Sequence, residues 1–117
     1  MENELVLPSA ADIVKTNEEL LSIRVESDRA LKVSSCFSSY FYYEDTYDQI
    51  SSIILNLIKN HYFIDANKRT AFLTFVSICE VNGITNLKPK LQYADIFESI
   101  AAKHYTVQQV SKLLFDL

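Results

Sequence analysis

The stretch NHYFIDANKRTAF, residues 60–72, lies between two runs of apolar residues that repeat at helical spacing. We predict a helix that ends at Asn60, a loop over HYFIDA, and a second helix that begins near Asn67. The first turn of that second helix then holds two cations, Lys68 and Arg69. A helix N-terminus carries free N–H groups and a partial positive charge, so acids are favoured there and cations are not. A bound anion would remove this conflict.

Helical spacing of apolar residues continues on both sides of this stretch. We predict helices that start at Pro8 or Ser9, near Ser27, after a cap at Asp45 or Thr46, near Asn67, over residues 91–104, and after the capping box Thr106 to Gln109. The chain's only glycine, Gly83, follows Asn82 and is typical of a left-handed helix stop. The prediction is an all-α, compact bundle of about six helices in a single domain over residues 1–117. The segment FYYEDT before the third helix is predicted to be a loop or a short extended segment.

Composition excludes several classes of protein. The formal charge is 11 − 15 = −4, without the basic stripe of a nucleic-acid-binding protein, so we expect no nucleic acid partner. No apolar run approaches 18 residues, and the acidic start MENELVLPSA is unlike a signal peptide, so we expect no membrane span and a cytoplasmic location. Cys36 and Cys79 lie among apolar residues and are predicted to be buried, reduced thiols rather than a disulfide or zinc ligands.

The loop and the turn after it combine residue types that suit phosphoryl transfer. Lys59, Lys68 and Arg69 against Asp65 give a local charge of 3 − 1 = +2. Cations beside free helix N–H groups can bind phosphate, a carboxylate can hold Mg²⁺ together with phosphate oxygens, and His61 can act as a general base. Each residue also has an ordinary interpretation. His61 suits a helix C-terminus, Asp65 an N-cap, and the cations a solvated surface, while Phe63 is expected to anchor the loop in the core under either reading.

Residues 61–69, HYFIDANKR, resemble the signature H-x-F-x-[DE]-[AG]-N-[GK]-R of the Fic/Doc family, with all seven constrained positions matched. The run DANKRTA is most similar to the Doc branch, the death-on-curing toxins. The similarity in pattern extends from about Asp45 to the C-terminus, whereas residues 1–44 match only in helix order. The resemblance implies a small helical bundle with a short extended flap before the motif-bearing helices.

The resemblance also implies a role for each residue of the motif. His61 would deprotonate a target hydroxyl, Phe63 would pin the loop, and Asp65 would hold Mg²⁺. Phosphates of ATP would be bound by the last three positions, Asn67, Lys68 and Arg69. Relatives with Gly in place of Lys68 generally transfer AMP, whereas the Asn-Lys-Arg ending of Doc accompanies transfer of the terminal phosphate to elongation factor Tu, under control of a separate antitoxin.

Three functions therefore stay open, and two surfaces are candidates for partners. A Doc-like phosphotransferase is the first hypothesis, an AMP transferase the second, and a catalytically silent helical interaction module the third. We find no inhibitory [ST]-x-x-x-E-[GN] pattern, so inhibition is expected from a separate antitoxin. Target binding at the flap is one hypothesis, with core cover as the alternative, for the residues Tyr42, Tyr43, Glu44 and Asp45. The aromatic face Phe37, Tyr40, Phe41 and Tyr43 is predicted mainly to pack in the core, and it is also the best candidate for an antitoxin-binding patch.

Overall fold

The computed structural model describes residues 4–117 as a bundle of six α-helices joined by loops and three 3₁₀ turns. The helices are α1 (Ala10–Leu21), α2 (Ser27–Lys32), α3 (Thr46–Lys59), α4 (Asn67–Val81), α5 (Tyr93–Ala102) and α6 (Val107–Leu114). The 3₁₀ turns are Val33–Phe37, Tyr40–Tyr42 and Lys90–Gln92. Extended pairing within the described residues is limited to one antiparallel bridge between Leu87 and Phe115. The predicted all-α fold is confirmed; the first three residues of MENELVLPSA lie outside the described part.

Side-chain caps fix where three of the helices begin. Ser9 and Thr106 form complete capping boxes with Asp12 and Gln109, each accepting a bond from the third backbone N–H while the partner's side chain bonds back. Asp45 caps α3 by accepting from the N–H groups of Tyr47 and Asp48. The start of α6 was predicted from its capping box. The start of α3 was predicted with Asp45 as one of two candidate caps, and that of α1 was predicted at Pro8 or Ser9.

The end of α4 is a Schellman stop at the single glycine. Gly83 has a φ of 69°, its N–H donates to the carbonyl of Glu80, and the N–H of Ile84 donates to the carbonyl of Cys79. A left-handed conformation carries no steric cost at glycine, so this position ends the helix cleanly. The predicted stop at Asn82 and Gly83 is confirmed.

Helix α3 occupies the centre of the bundle. It packs against α4, α5 and α6 and against the 3₁₀ turns Val33–Phe37 and Tyr40–Tyr42. Ile50, Ile53 and Ile54 of this helix are completely buried. Because α3 is packed on these elements, the loop that follows it after Lys59 starts from a rigid helix.

Two predicted helices are shorter in the structure. Apolar residues repeat at helical spacing from Ala30 to Phe41, which predicts that the helix starting near Ser27 continues through them, but α2 ends at Lys32 and two 3₁₀ turns follow. Four serines lie in this segment, and serine side chains compete with the helix for backbone bonds; Ser34 Oγ, for example, donates to the carbonyl of Leu31. The fifth helix spans Tyr93–Ala102 rather than residues 91–104, and Lys90–Gln92 is a 3₁₀ turn after Pro89.

Both cysteines are free and buried, as predicted. Burial away from water raises the pKa of each thiol to about 12, so neither is ionised near neutral pH. Within residues 4–117, no helix is long and apolar enough to cross a lipid bilayer.

Candidate active site

The loop between α3 and α4, residues 60–66, is bounded by two residues in the left-handed backbone region. His61 has a φ of 49° and Ala66 a φ of 61°, although neither is glycine. This conformation is costly for side chains other than glycine and asparagine, and such residues concentrate at functional sites. His61 turns the chain away from the axis of α3, and Ala66 sets the direction in which α4 begins. We refer to this segment as the motif loop.

The side chain of Asn67 closes the motif loop on itself. Its Oδ1 accepts a bond of 3.1 Å from the N–H of Phe63, and its Nδ2 donates a bond of 2.9 Å to the carbonyl of Phe63. The Phe63 ring is 3% exposed and belongs to the hydrophobic core. The carboxamide of Asn67 is thus occupied in shaping the loop, and only its main-chain N–H is left to meet a ligand.

Asn17 of α1 holds the motif loop from the other side, and sequence analysis missed it. Its side chain is 1% exposed and donates to the carbonyl of Asp65 at 3.0 Å and to Thr70 Oγ1 at 3.1 Å. A signal was present, because Asn17 lies four residues after Ile13 and so falls on the buried face of the first predicted helix. A polar residue on an apolar face has to find a buried partner.

The N-terminus of α4 has no side-chain cap. Its N-cap residue is Ala66, and the first intrahelical bond runs from the N–H of Thr70 to the carbonyl of Ala66. The N–H groups of Asn67, Lys68 and Arg69 therefore have no acceptor within the helix. By contrast, at the starts of α1, α3 and α6 the side chains of Ser9, Asp45 and Thr106 each accept from one or two such N–H groups. A helix end with free N–H groups attracts an anion.

The three cations counted around this helix end have different partners. Lys59 Nζ donates to the carbonyls of Ala101 and Lys103 at 3.1 and 2.7 Å, so it caps the C-terminus of α5. Lys68 Nζ lies 2.7 Å from Glu98 Oε1, the only salt bridge among residues 4–117. Arg69 is exposed and takes part in no salt bridge within the described residues. Of the three cations behind the predicted local charge of +2, Lys59 and Lys68 are thus bonded to other groups. The guanidinium of Arg69 and the helix N–H groups are the positive groups without such a partner in the described part of the chain, and Asp65 is the negative group beside them.

A cavity of about 290 Å³, which we call the N-terminal pocket, lies at this helix end. Its walls combine residues of the motif loop and of the first turn of α4, including His61, Asp65, Asn67, Lys68 and Arg69. The structure therefore brings together the polar residues of the motif, whereas Lys59 lies outside this pocket. His61 is exposed, so its imidazole can reach a reactant in the pocket.

Two further cavities adjoin the N-terminal pocket. The first, which we call the lateral cleft, has a volume of about 550 Å³ and lies between α2 and the motif loop, with His61, Tyr62, Arg29 and Lys32 among its walls. The second, the apolar groove, has a volume of about 460 Å³ between α4 and α5, with the rings of Phe72, Tyr93 and Phe97 among its walls. His61 also belongs to the cleft, and Lys68 and Arg69 also belong to the groove. The N-terminal pocket thus shares wall residues with each of the other two cavities.

Tyr62 lines the lateral cleft and bonds to three neighbouring residues. Its hydroxyl bonds to Ser35 Oγ at 2.6 Å and accepts from Asn60 Nδ2 at 3.0 Å, and its carbonyl accepts from Arg29 Nη1 at 3.2 Å. The ring is 7% exposed. These bonds join the motif loop to α2 and to the 3₁₀ turn Val33–Phe37, and sequence analysis had assigned Tyr62 no role.

Asp65 suits a magnesium ion only when phosphate oxygens of a bound molecule also coordinate it. One oxygen, Oδ1, accepts a bond of 2.7 Å from the N–H of Ala66, and the side chain is otherwise exposed in the N-terminal pocket. No group of three or more His, Cys, Asp or Glu residues among residues 4–117 could hold a metal ion. Mg²⁺ commonly uses one or two carboxylates together with phosphate oxygens and water, so a single carboxylate beside a phosphate site suits it.

The segment predicted as a flap is a loop that begins with one 3₁₀ turn. The N–H groups of Tyr42 and Tyr43 donate to the carbonyls of Ser39 and Tyr40, and the carboxylate of Asp45 caps α3. Backbone bonds to an added strand would require this turn to open, because its N–H groups are already used. Of the aromatic face, Phe37 and Tyr40 pack against the core, whereas Phe41 is 61% and the neighbouring Tyr42 76% exposed.

The fold and the site define a small helical protein in which an uncapped helix N-terminus, a histidine and a carboxylate share one pocket. The model of the Fic/DOC family matches residues 8–79, and the chain belongs to the Fic/Doc family. Enzymes of this family transfer nucleotide-derived groups to proteins, typically from a nucleoside triphosphate with Mg²⁺. Comparison with curated proteins and with solved structures found no match.

Proposed function

We propose that this protein transfers the terminal phosphate of ATP to a hydroxyl group on a protein target. The observation that carries the proposal is the N-terminal pocket. There, unpaired N–H groups of α4 and the guanidinium of Arg69, which makes no salt bridge among the described residues, lie beside the exposed His61. Free helix N–H groups and an arginine fork are suited to phosphate oxygens. The membership of the family supports the same class of reaction.

The residues of the pocket have distinct roles in this proposal. The main-chain N–H groups of Asn67, Lys68 and Arg69 and the Arg69 guanidinium bind the phosphates, and the carboxamide of Asn67 keeps the loop in shape. Asp65 would hold Mg²⁺, which neutralises charge on the phosphates. His61 accepts the proton of the target hydroxyl as the new bond between its oxygen and the γ-phosphorus forms, and the bond from that phosphorus to the β-phosphate oxygen breaks to release ADP.

The two neighbouring cavities suit the remaining parts of the reactants. Aromatic walls and a volume of about 460 Å³ make the apolar groove suitable for the nucleoside of ATP, since ligand pockets are largely apolar and of this size. The lateral cleft, which shares His61 with the N-terminal pocket, suits the target segment that presents the hydroxyl. This arrangement would place the imidazole between donor and acceptor.

We further propose that the protein is a cytoplasmic toxin of the Doc type. Lys68 in the motif supports this, because the Asn-Lys-Arg ending resembles that of Doc. Elongation factor Tu is then the proposed target and a separate antitoxin the proposed inhibitor, with the exposed aromatic rings of Phe41 and Tyr42 as a candidate contact surface. The flap residues of this segment stay a candidate for target binding.

AMP transfer is the second candidate function, and one observation favours it. The ammonium of Lys68 is bonded to Glu98 on α5. If the lysine stays there, it leaves free the space along the loop that glycine leaves in relatives that transfer AMP. The position of this single side chain in the complex with ATP would then decide which phosphate reacts.

Labelled ATP separates these functions. The protein is incubated with a bacterial lysate, Mg²⁺ and ATP labelled at either the γ or the α phosphate, and proteins are analysed for label. The proposal predicts label from γ only. Label from α would contradict it in favour of AMP transfer, and no label from either position would favour a silent interaction module.

A further inference from the structure

We infer that Glu98 is a positioning residue for the phosphate site: it holds the ammonium of Lys68 toward α5 and competes for it with the phosphates of the bound nucleotide. The inference rests on the proposed function in one respect, that the anion of the N-terminal pocket is a nucleotide phosphate. Glu98 lies outside the motif and outside the residues 8–79 matched by the family model.

The contact between Lys68 and Glu98 connects two helices across 30 positions of sequence. Lys68 Nζ and Glu98 Oε1 are 2.7 Å apart, and no other salt bridge is present in the described part of the chain. The side chains are 45% and 69% exposed. An ion pair this exposed is weak and is readily exchanged for another partner.

The pair is not needed to hold α4 and α5 together. Aromatic rings fill the interface between these helices, with Phe72 and Phe97 at a centroid distance of 5.5 Å and Phe75 and Tyr93 at 5.4 Å. Such ring contacts, together with their buried area, contribute far more than one exposed ion pair. A purely structural role for Glu98 therefore predicts almost no effect when its charge is removed.

The effect of Glu98 on the N-terminal pocket is electrostatic. Lys59 is fixed on the carbonyls at the end of α5, so Lys68 and Arg69 are the two cations available to a ligand. Glu98 neutralises the ammonium of Lys68 and holds it toward α5, so its effect on the site acts through this lysine. A nucleotide phosphate, with more than one charge and with the helix N–H groups as further donors, can take Lys68 from this single carboxylate. Glu98 should therefore weaken phosphate binding by a modest factor and reduce its dependence on salt.

The test is the affinity of the full chain for ATP and for inorganic pyrophosphate at low ionic strength, measured by titration calorimetry. Glu98→Gln keeps the size of the side chain and removes its charge. Asp95→Asn is the matched control, because Asp95 is an exposed acid of the same helix that makes no salt bridge. We expect Glu98→Gln to bind both ligands about two- to five-fold more tightly, the range of an exposed ion pair, and Asp95→Asn to match the parent.

A second pair of variants tests whether Glu98 acts through Lys68. In a Lys68→Met background, Glu98→Gln should change the affinity for ATP and pyrophosphate no more than Asp95→Asn does. Glu98→Asp in the parent protein keeps the negative charge and should keep the parent affinity. In turnover, Glu98→Gln should lower the KM for ATP without lowering kcat. Unchanged melting temperatures would show that every variant is folded.

The inference is overturned if Glu98→Gln and Asp95→Asn have equal effects, or if the gain persists without Lys68. Its failure is distinguishable from that of the proposed function. Tighter binding by Glu98→Gln in a protein that transfers no label contradicts only the proposed activity. If the protein transfers label from γ but Glu98→Gln leaves the affinity for ATP and pyrophosphate unchanged, only the role of Glu98 is contradicted.

Discussion

Two residues of the motif have partners that their order in the sequence does not indicate. Asn67 is predicted to bind phosphate, and in the structure its carboxamide is bonded to both backbone groups of Phe63. Lys68 was predicted to face the same phosphates, and its ammonium is bonded to Glu98. The sequence could identify both residues as members of the site. It could not identify these partners, because one depends on the path of the loop and the other on where α5 lies.

Lys68 is the residue whose replacement reports on the phosphate that is transferred. We expect Lys68→Gly to lower transfer from γ-labelled ATP, because a cation next to the transferred phosphate is lost. Lys68→Ala is the companion variant: it loses the same charge but opens less room along the loop. Label from the α position in the glycine variant alone would indicate that space, not charge, selects the phosphate. Unchanged γ transfer in both variants would exclude a role for the lysine.

At the scale of elements, the boundaries set by local chemistry were predictable. The capping boxes at Ser9 and Thr106 and the stop at Gly83 each depend on residues within one turn. The early end of α2 was not predictable from apolar spacing alone. Val33 and Cys36 lie in a 3₁₀ turn after the end of α2 and are fully buried. The same three-residue spacing of apolar side chains is therefore compatible with a 3₁₀ backbone as well as with an α-helix. Tertiary packing on α3 favours that backbone over the helix.

The attachment of the motif loop to α1 gives a prediction at this scale. We expect Asn17→Leu, which keeps similar volume, to lower the free energy of unfolding by about 1–3 kcal/mol, since the carbonyl of Asp65 and the hydroxyl of Thr70 lose a buried partner. It should also weaken ATP binding because the loop is less fixed. Urea unfolding and calorimetry measure the two effects.

Thr16→Ala is the control on the same helix. Its hydroxyl bonds only to the carbonyl of Asp12 within α1, so its removal should change the free energy of unfolding by less than about 0.5 kcal/mol. If Asn17→Leu proved as mild as this control, the buried asparagine would not be what holds the loop.

The apolar groove between α4 and α5 gives a second prediction for the elements. Ala94 is exposed and belongs to the groove, so Ala94→Trp should fill the space proposed for the nucleoside. The KM for ATP should rise while affinity for pyrophosphate stays at the parent value. Ala11→Trp, at an exposed site of α1, should change neither. An unchanged KM in Ala94→Trp would place the nucleoside elsewhere.

Across the whole molecule, the two thiols report on the integrity of the core. Cys36 and Cys79 are buried, and burial raises the pKa of each thiol to about 12. We expect the native protein at pH 8 to react with neither iodoacetamide nor a disulfide reagent until it unfolds, because the thiolate is the reactive form. The thiols of the unfolded chain ionise at a lower pH than the buried thiols of the native protein. The free energy of unfolding should therefore fall as pH rises from about 9 toward 12. Rapid labelling of a native thiol at pH 8 would contradict this packing.

The proposed reaction depends on a histidine that shares one pocket with an uncapped helix N-terminus. His61 has a positive φ, so alanine at this position would add strain to the loss of the imidazole. Asparagine tolerates that backbone, which makes His61→Asn the cleaner replacement. The chain's other histidine, His104, is exposed after α5 and outside the pocket, so His104→Asn is the matched control.

The decisive measurement is the rate of transfer from γ-labelled ATP to protein by these two variants and the parent, each verified as folded by its thermal unfolding. The account predicts that His61→Asn loses about 10²- to 10⁴-fold in rate, the usual contribution of a general base, while His104→Asn stays at the parent rate. Transfer by His61→Asn at the parent rate would contradict the account.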